Sequence, residues 1–167
     1  MSNQNKILII ALPRTGSTSL LDKISNEKNL TPLFEPFDKT GRVLYNGQSN
    51  VVVKTIINQH PNNFELSKEF DEIILLSRKN LKEHIESHSY RIYFSKKKGY
   101  KSNQKYVYTE PPQYVIDDCT NDINRWNDEL IKLSHSLNIP ITYYEDLFDK
   151  NSKEKLRVEI KDKKELI

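Results

Sequence analysis

The sequence predicts an α/β fold in three layers, with a central parallel sheet covered by helices on both faces. Two observations carry that expectation. Short continuous apolar runs recur at Lys6–Ala11, Val51–Val53, Ile73–Leu76 and Ile139–Tyr143, the mark of strands buried on both sides. Helical patterns fill most of the gaps between them, and such alternation implies parallel strands joined by crossover helices. No stretch rich in Gly, Ser or Pro divides the 167 residues, so one domain spanning residues 1–167 is expected.

Taken in order, the first run leads into Pro13-Arg14-Thr15-Gly16-Ser17-Thr18-Ser19, and a helix is expected to begin near Ser17. Glu35, in Leu33-Phe34-Glu35-Pro36-Phe37, should sit at the end of a second strand, and a third should end near Lys54. The fourth, Ile73–Leu76, precedes Ser77-Arg78 and a helix that carries Ser87. His84 and His88 lie on that helix and are expected at its surface or beside a bound ligand. From Tyr93 to Tyr114 the chain is polar and rich in tyrosine, with a Lys96-Lys97-Lys98-Gly99 run and the Pro111-Pro112 pair, and it reads as a long loop or lid. The clearest helix follows. Ile116, Cys119, Ile123, Trp126, Leu130, Leu133 and Leu137 alternate steps of three and four, which makes one apolar stripe. Trp126 belongs to that stripe, so packing is the better reading of it than a stacking platform for adenine. From Asn151 the residues are mostly charged, and a short helix or a frayed tail fits equally.

Bulk properties narrow the function. With 36% hydrophobic and 29% charged residues, the chain has apolar material for a modest core under a charged surface. The 26 basic and 23 acidic residues nearly balance at a net charge of +3, which suits a phosphate-bearing small ligand better than a nucleic acid. A single cysteine, Cys119, forms no internal disulfide, and zinc-finger spacing is absent, so a reducing, cytoplasmic setting and no metal are expected. The run Ile7–Leu12 is too short to cross a membrane, and no membrane insertion is expected.

The loop after the first strand carries the chemistry. A buried strand that ends in Pro-Arg-Thr-Gly-Ser-Thr-Ser and enters a helix offers backbone N–H groups, hydroxyls and a cation at the positive end of the helix dipole. That is the composition of an anion cradle. Gly16 would allow a tight turn, Ser17 and Thr18 would donate, and Arg14 would neutralise charge. An ordinary loop before a capped helix explains the same residues. A nucleoside-triphosphate P-loop needs a glycine five positions before Gly16 and a lysine directly after it, and neither is present. The three glycines of a dinucleotide fingerprint are missing too.

What remains resembles the 5′-phosphosulfate loop of sulfotransferases that use 3′-phosphoadenosine 5′-phosphosulfate (PAPS), in which Pro-Lys/Arg-Ser/Thr-Gly-Ser/Thr-Thr follows the first strand. A second motif of that family joins an arginine at a strand end to a serine on the next helix, and the two bind the cofactor's 3′-phosphate. Ile73-Ile74-Leu75-Leu76-Ser77-Arg78-Lys79-Asn80-Leu81, followed by Ser87, is similar to it. A forked guanidinium and a short hydroxyl suit a dianionic phosphate. A solvated arginine and a surface serine are the plainer reading of the pair. Tyr143-Tyr144-Glu145-Asp146-Leu147 resembles a third, mainly structural family element. Two departures stand out: the chain is short for the family, and its C-terminal Arg-Lys-Gly element has no counterpart.

The resemblance implies a P-loop-like sulfotransferase fold. It implies transfer of a sulfuryl group from PAPS to the hydroxyl of a carbohydrate, lipid or small metabolite, with 3′-phosphoadenosine 5′-phosphate as product. Such transfer needs a base for the acceptor hydroxyl and positive charge near the departing phosphate. Glu35, in a Glu-Pro segment like that of carbohydrate-type members, is the first candidate base, with hydrophobic neighbours expected to raise its pKa. His60 is the second, standing after Lys54-Thr55 but out of register with the Lys-Thr-His of cytosolic members. Lys54 is the candidate for stabilising the leaving phosphate, although a lysine at a strand end is often simply solvated. Two other functions fit the chain: a kinase-like phosphotransferase using a nucleotide, and a binding module that keeps the anion loop without turnover.

Overall fold

The computed structural model describes residues 5–39, 44–98 and 110–148. Five strands form one parallel sheet: β1 (Lys6–Ala11), β2 (Thr31–Phe34), β3 (Val51–Ile56), β4 (Glu72–Ser77) and β5 (Ile141–Tyr143), in the order β2-β3-β1-β4-β5. The helices are α1 (Ser17–Lys28), α2 (Asn63–Ser67), α3 (Leu81–Lys98), α4 (Gln113–Leu137) and α5 (Tyr144–Leu147). The expected α/β class with a parallel sheet between helices is therefore what the chain adopts.

Why β1 sits in the middle follows from its residues. Leu8, Ile10 and Leu12 enter one apolar cluster and Ile7, Ile9 and Ala11 the other, so neither face of this strand tolerates water. The first cluster takes Ile123, Trp126, Leu130 and Leu133 from α4, and the second takes Leu20, Leu21 and Ile24 from α1. Each fully buried branched side chain of this size stabilises the fold by about 1.5–3 kcal/mol. Both long helices with a described C-terminus stop in the same way: Asn29 and Asn138 adopt the left-handed region, at φ 53° and 54°, where asparagine is tolerated better than most residues.

Two expectations need correction. The loop expected from Tyr93 starts later, because α3 continues to Lys98 and α4 already begins at Gln113. Tyr90 and Phe94, one turn apart with ring centroids at 4.4 Å, show the helical packing that carries the chain past Tyr93. Residues 99–109, the heart of the proposed lid, and the tail from 151 lie outside the described residues. In α4, Val115 is buried in place of Ile116, since a helix stacks residues both three and four back over Cys119. Trp126 packs in the core as expected. Among the described residues, no helix is long and apolar enough to cross a membrane.

The sheet order sets apart one place at the carboxyl ends of the strands. From β1 the chain runs first to the edge strand β2, returns to place β3 between β2 and β1, then crosses to the other side of β1 for β4 and β5. Loops leaving the carboxyl ends on either side of β1 diverge there, and open parallel sheets bind ligands at that point. The loop 13–19, Glu35 and Arg78 all follow strands at this edge.

Candidate functional site

The loop begins where β1 ends, and its shape is set by two left-handed residues. Arg14 has φ 62° and Gly16 φ 73°. Gly16 then stands at the start of α1, which has no side-chain cap, and its carbonyl accepts from Leu20 N at 3.1 Å. The glycine is required twice over, because a methyl group there would also stand 2.6 Å from Cδ2 and Cε2 of Tyr144. Thr15 is wholly buried and donates its hydroxyl to the Leu12 carbonyl at 2.8 Å, so its side chain closes the turn and does not face a ligand. Ser17 is buried at the same place, while Arg14, Thr18 and Ser19 are exposed.

On the β4 side, the second motif comes up against this loop. Arg14 Nε donates to Ser87 Oγ at 3.2 Å, and Arg78 Nη1 donates to the Arg14 carbonyl at 3.5 Å. Arg78 is also held by Glu83 at 3.1 Å and by Glu145 at 3.8 Å, with its guanidinium over the Tyr144 ring. Its buried Nε has no hydrogen-bond partner among the described residues. Beside Arg78 a cleft of about 460 Å³ opens between β4, α3 and α4, with Ser77, His84, Asn127 and Tyr143 in its walls.

The histidines of α3 are not on the surface. His84 is 1% exposed and its Nε2 donates to the Pro13 carbonyl at 2.6 Å; His88 is buried with its ring edge toward Trp126. Burial pushes the His84 pKa from 6.5 down to about 4, and the charges of Arg78 and His88 add to that, against the Pro13 carbonyl. Burial likewise lowers His88. A histidine whose folded pKa lies below its unfolded value contributes full stability above about pH 6.5 and loses it as the pH falls toward the folded value. Urea denaturation from about pH 6.5 to about pH 5, above ordinary carboxylate values, should then show wild-type stability falling by roughly 2 kcal/mol on account of His84. His84→Gln should flatten that fall, with His88 keeping part of the slope, and identical slopes would show that His84 titrates normally.

On the β2 side lies a second strained residue. Glu35 has φ 46°, and it and Arg14 are the described non-glycine residues with positive φ that are not asparagine. Strain of this kind persists only where surrounding contacts impose it, and it concentrates at functional sites. Glu35 N–H donates to the Lys54 carbonyl at 2.8 Å, and its carboxylate pairs with Lys54 Nζ and accepts from Gln59 Nε2 at 3.0 Å. The expected apolar surroundings of Glu35 are therefore wrong: its oxygens meet an ammonium and an amide. Lys54 is not solvated either. It is 3% exposed, over the Phe34 ring, and burial lowers its pKa, with Glu35 opposing and the nearby Arg14 charge adding. His60 stands apart from this pair, with Nδ1 accepting from Asn62 N–H at 3.1 Å and its ring edge-on to Phe37.

Sequence reasoning missed three participants. Gln59 anchors its own oxygen on Ile56 N–H at 2.9 Å while holding Glu35. Tyr144 packs over both Gly16 and Arg78. Glu145 accepts from Lys79 N–H at 2.9 Å and Asn80 N–H at 3.3 Å; burial opposes its charge, but these donors and Arg78 outweigh it and hold the carboxyl below its ordinary value. The Tyr-Glu-Asp-Leu stretch was the available signal for the last two. No group of His, Cys, Asp or Glu among the described residues has the arrangement to hold a metal ion.

No protein-family model matches this chain, and no curated protein is significantly similar to it.

Proposed function

We propose that the chain binds PAPS and transfers its sulfuryl group to a hydroxyl acceptor, a sulfotransferase of P-loop-like fold. The carrying observation is that two segments far apart in sequence, each resembling a phosphate-binding motif, meet: Arg14 reaches Ser87, and Arg78 reaches Arg14. The uncapped start of α1, the left-handed loop and the Arg78 Nε, which faces Glu145 at 3.8 Å without a hydrogen bond, fit the anions that the resemblance implies.

On this reading Pro13 to Ser19 hold the 5′-phosphosulfate, with Thr15 and Ser17 contributing backbone and turn closure and Thr18 a hydroxyl. Arg78 and Ser87 hold the 3′-phosphate, and the adjoining cleft has the volume of a small-ligand site. PAPS supplies an activated sulfuryl group. The chain's own part is to fix the two anionic ends, to keep Lys54 ammonium beside the loop, and to take the acceptor's proton on Glu35. The acceptor, a carbohydrate, lipid or small metabolite, comes from the β2–β3 side, and a cytoplasmic setting belongs to the same proposal.

The test is a thermal-shift comparison. 3′-Phosphoadenosine 5′-phosphate should raise Tm clearly, AMP much less because it leaves Arg78 and Ser87 without a ligand, and ATP with magnesium no more than AMP. Equal shifts for the first two would remove the 3′-phosphate assignment, and a larger shift with ATP and magnesium would favour phosphotransfer.

A further inference from the structure

We infer that His84 is a positioning residue, which turns the backbone N–H groups of the loop toward a bound oxyanion by holding the Pro13 carbonyl away from it. The inference rests on the loop being the anion cradle of the proposed function and concerns binding alone. Its ligand chemistry is a phosphate or sulfate ester.

Every carbonyl from Ala11 to Arg14 is engaged. That of Ala11 accepts from Ile57 N–H at 3.0 Å, Leu12 from the Thr15 hydroxyl at 2.8 Å, Pro13 from His84 Nε2 at 2.6 Å, and Arg14 from Arg78 Nη1 at 3.5 Å. Across a trans peptide the C=O and the following N–H point in opposite directions. The Leu12–Pro13 peptide has no N–H to present. The Pro13–Arg14 peptide is therefore the first in the loop whose orientation matters to a ligand, and His84 is the group that fixes it. With the Pro13 carbonyl drawn toward α3, the Arg14 N–H is turned to the opposite side. Arg78 does the same, over a longer bond, for the Thr15 N–H.

This bond also brackets a strained residue. Arg14 carries a Cβ in the left-handed region, a conformation that costs about 1–3 kcal/mol unless its surroundings enforce it. The peptide before Arg14 is held by His84, in the first turn of α3, and the peptide after it by Arg78, in the turn between β4 and α3. Successive N–H groups in such a turn form a concave anion-binding nest. Because a carbonyl only accepts, the ring must carry its proton on Nε2, and its burial shuts out water that would compete for the Pro13 oxygen.

Two substitutions separate position from bulk. In His84→Gln the side-chain amide nitrogen occupies the place of Nε2, whereas in His84→Asn it reaches only as far as Nδ1. Titration calorimetry with 3′-phosphoadenosine 5′-phosphate and with inorganic pyrophosphate should find His84→Gln within about twofold of wild type and His84→Asn weaker by about tenfold for both ligands. The ligand-induced shift of the Arg14 amide resonance should survive in the Gln variant and shrink in the Asn variant, a change that general destabilisation does not produce. Equal affinities for the two variants at matched unliganded Tm would overturn the inference. Should the Asn variant not fold, the imidazole ¹⁵N shifts of the wild type decide: a proton on Nδ1 instead of Nε2 overturns it. Wild type that binds neither ligand is a different failure, which overturns the anion-loop reading and the inference with it.

Discussion

Glu35→Gln is expected to lower turnover by about a hundredfold or more while affinity for 3′-phosphoadenosine 5′-phosphate stays within about twofold, if Glu35 is the base of the proposed reaction. The amide keeps the size of the carboxylate and an oxygen for Lys54, but it takes no proton from an acceptor. Glu35→Ala would be less informative. It would leave Lys54, 3% exposed, without a partner, and an uncompensated buried charge costs about 3–5 kcal/mol by itself. His60→Asn should be mild, because asparagine preserves an acceptor near Nδ1 for the Asn62 N–H, and the side chains held by the Glu35 carboxylate are Lys54 and Gln59. Turnover is read as release of 3′-phosphoadenosine 5′-phosphate, with hydrolysis of PAPS by water standing in until an acceptor is found. The reverse ranking, an inactive His60→Asn beside a near-normal Glu35→Gln, would move the base to the turn after β3.

Gly16→Ala is expected to remove about 2–5 kcal/mol of stability and, with it, most binding of the phosphorylated ligand. Two costs combine. A side chain at φ 73° carries a left-handed penalty of about 1–2 kcal/mol, and a methyl 2.6 Å from the Tyr144 ring forces a displacement of the kind that costs about 1–3 kcal/mol. They separate in a double variant, since Tyr144→Ala should relieve the second cost and leave the first. Urea denaturation of the single and double variants measures both, and a Gly16→Ala protein as stable as wild type would show that the turn is looser than described.

How much of this was legible beforehand depends on whether the signal was local. The runs around Ile9, Val52 and Leu75 are apolar on both faces, so their residues alone announce buried parallel strands. The start of α1 near Ser17 followed from the Gly/Ser/Thr turn before it, and Glu35, expected at the end of the second strand, stands one residue beyond it. The chemistry between segments did not follow. Lys54 looks like a solvated lysine until Glu35, nineteen positions earlier, is folded against it. His84 reads as a residue at the helix surface or beside a ligand, and its burial against the Pro13 carbonyl comes from a loop seventy-one positions earlier in the chain. The start of the expected lid was misplaced because tyrosines and lysines, which continue α3, are also what a polar loop contains.

The central place of β1 has a consequence for how the chain reaches this fold during synthesis. β1 is made first, yet its ladder partners β3 and β4 are both further along, and β4 lies beyond β3. Until β4 emerges, at least one side of Ile7–Leu12 has unpaired amides, and its apolar faces wait for α1 and for the still later α4. Parallel pairings that close such long segments form slowly, and an apolar strand with low charge and no internal proline is prone to self-association while it waits. The nascent chain therefore depends on early shielding of this strand, and α1, which follows it directly and already covers one of its faces, is the segment placed to provide it.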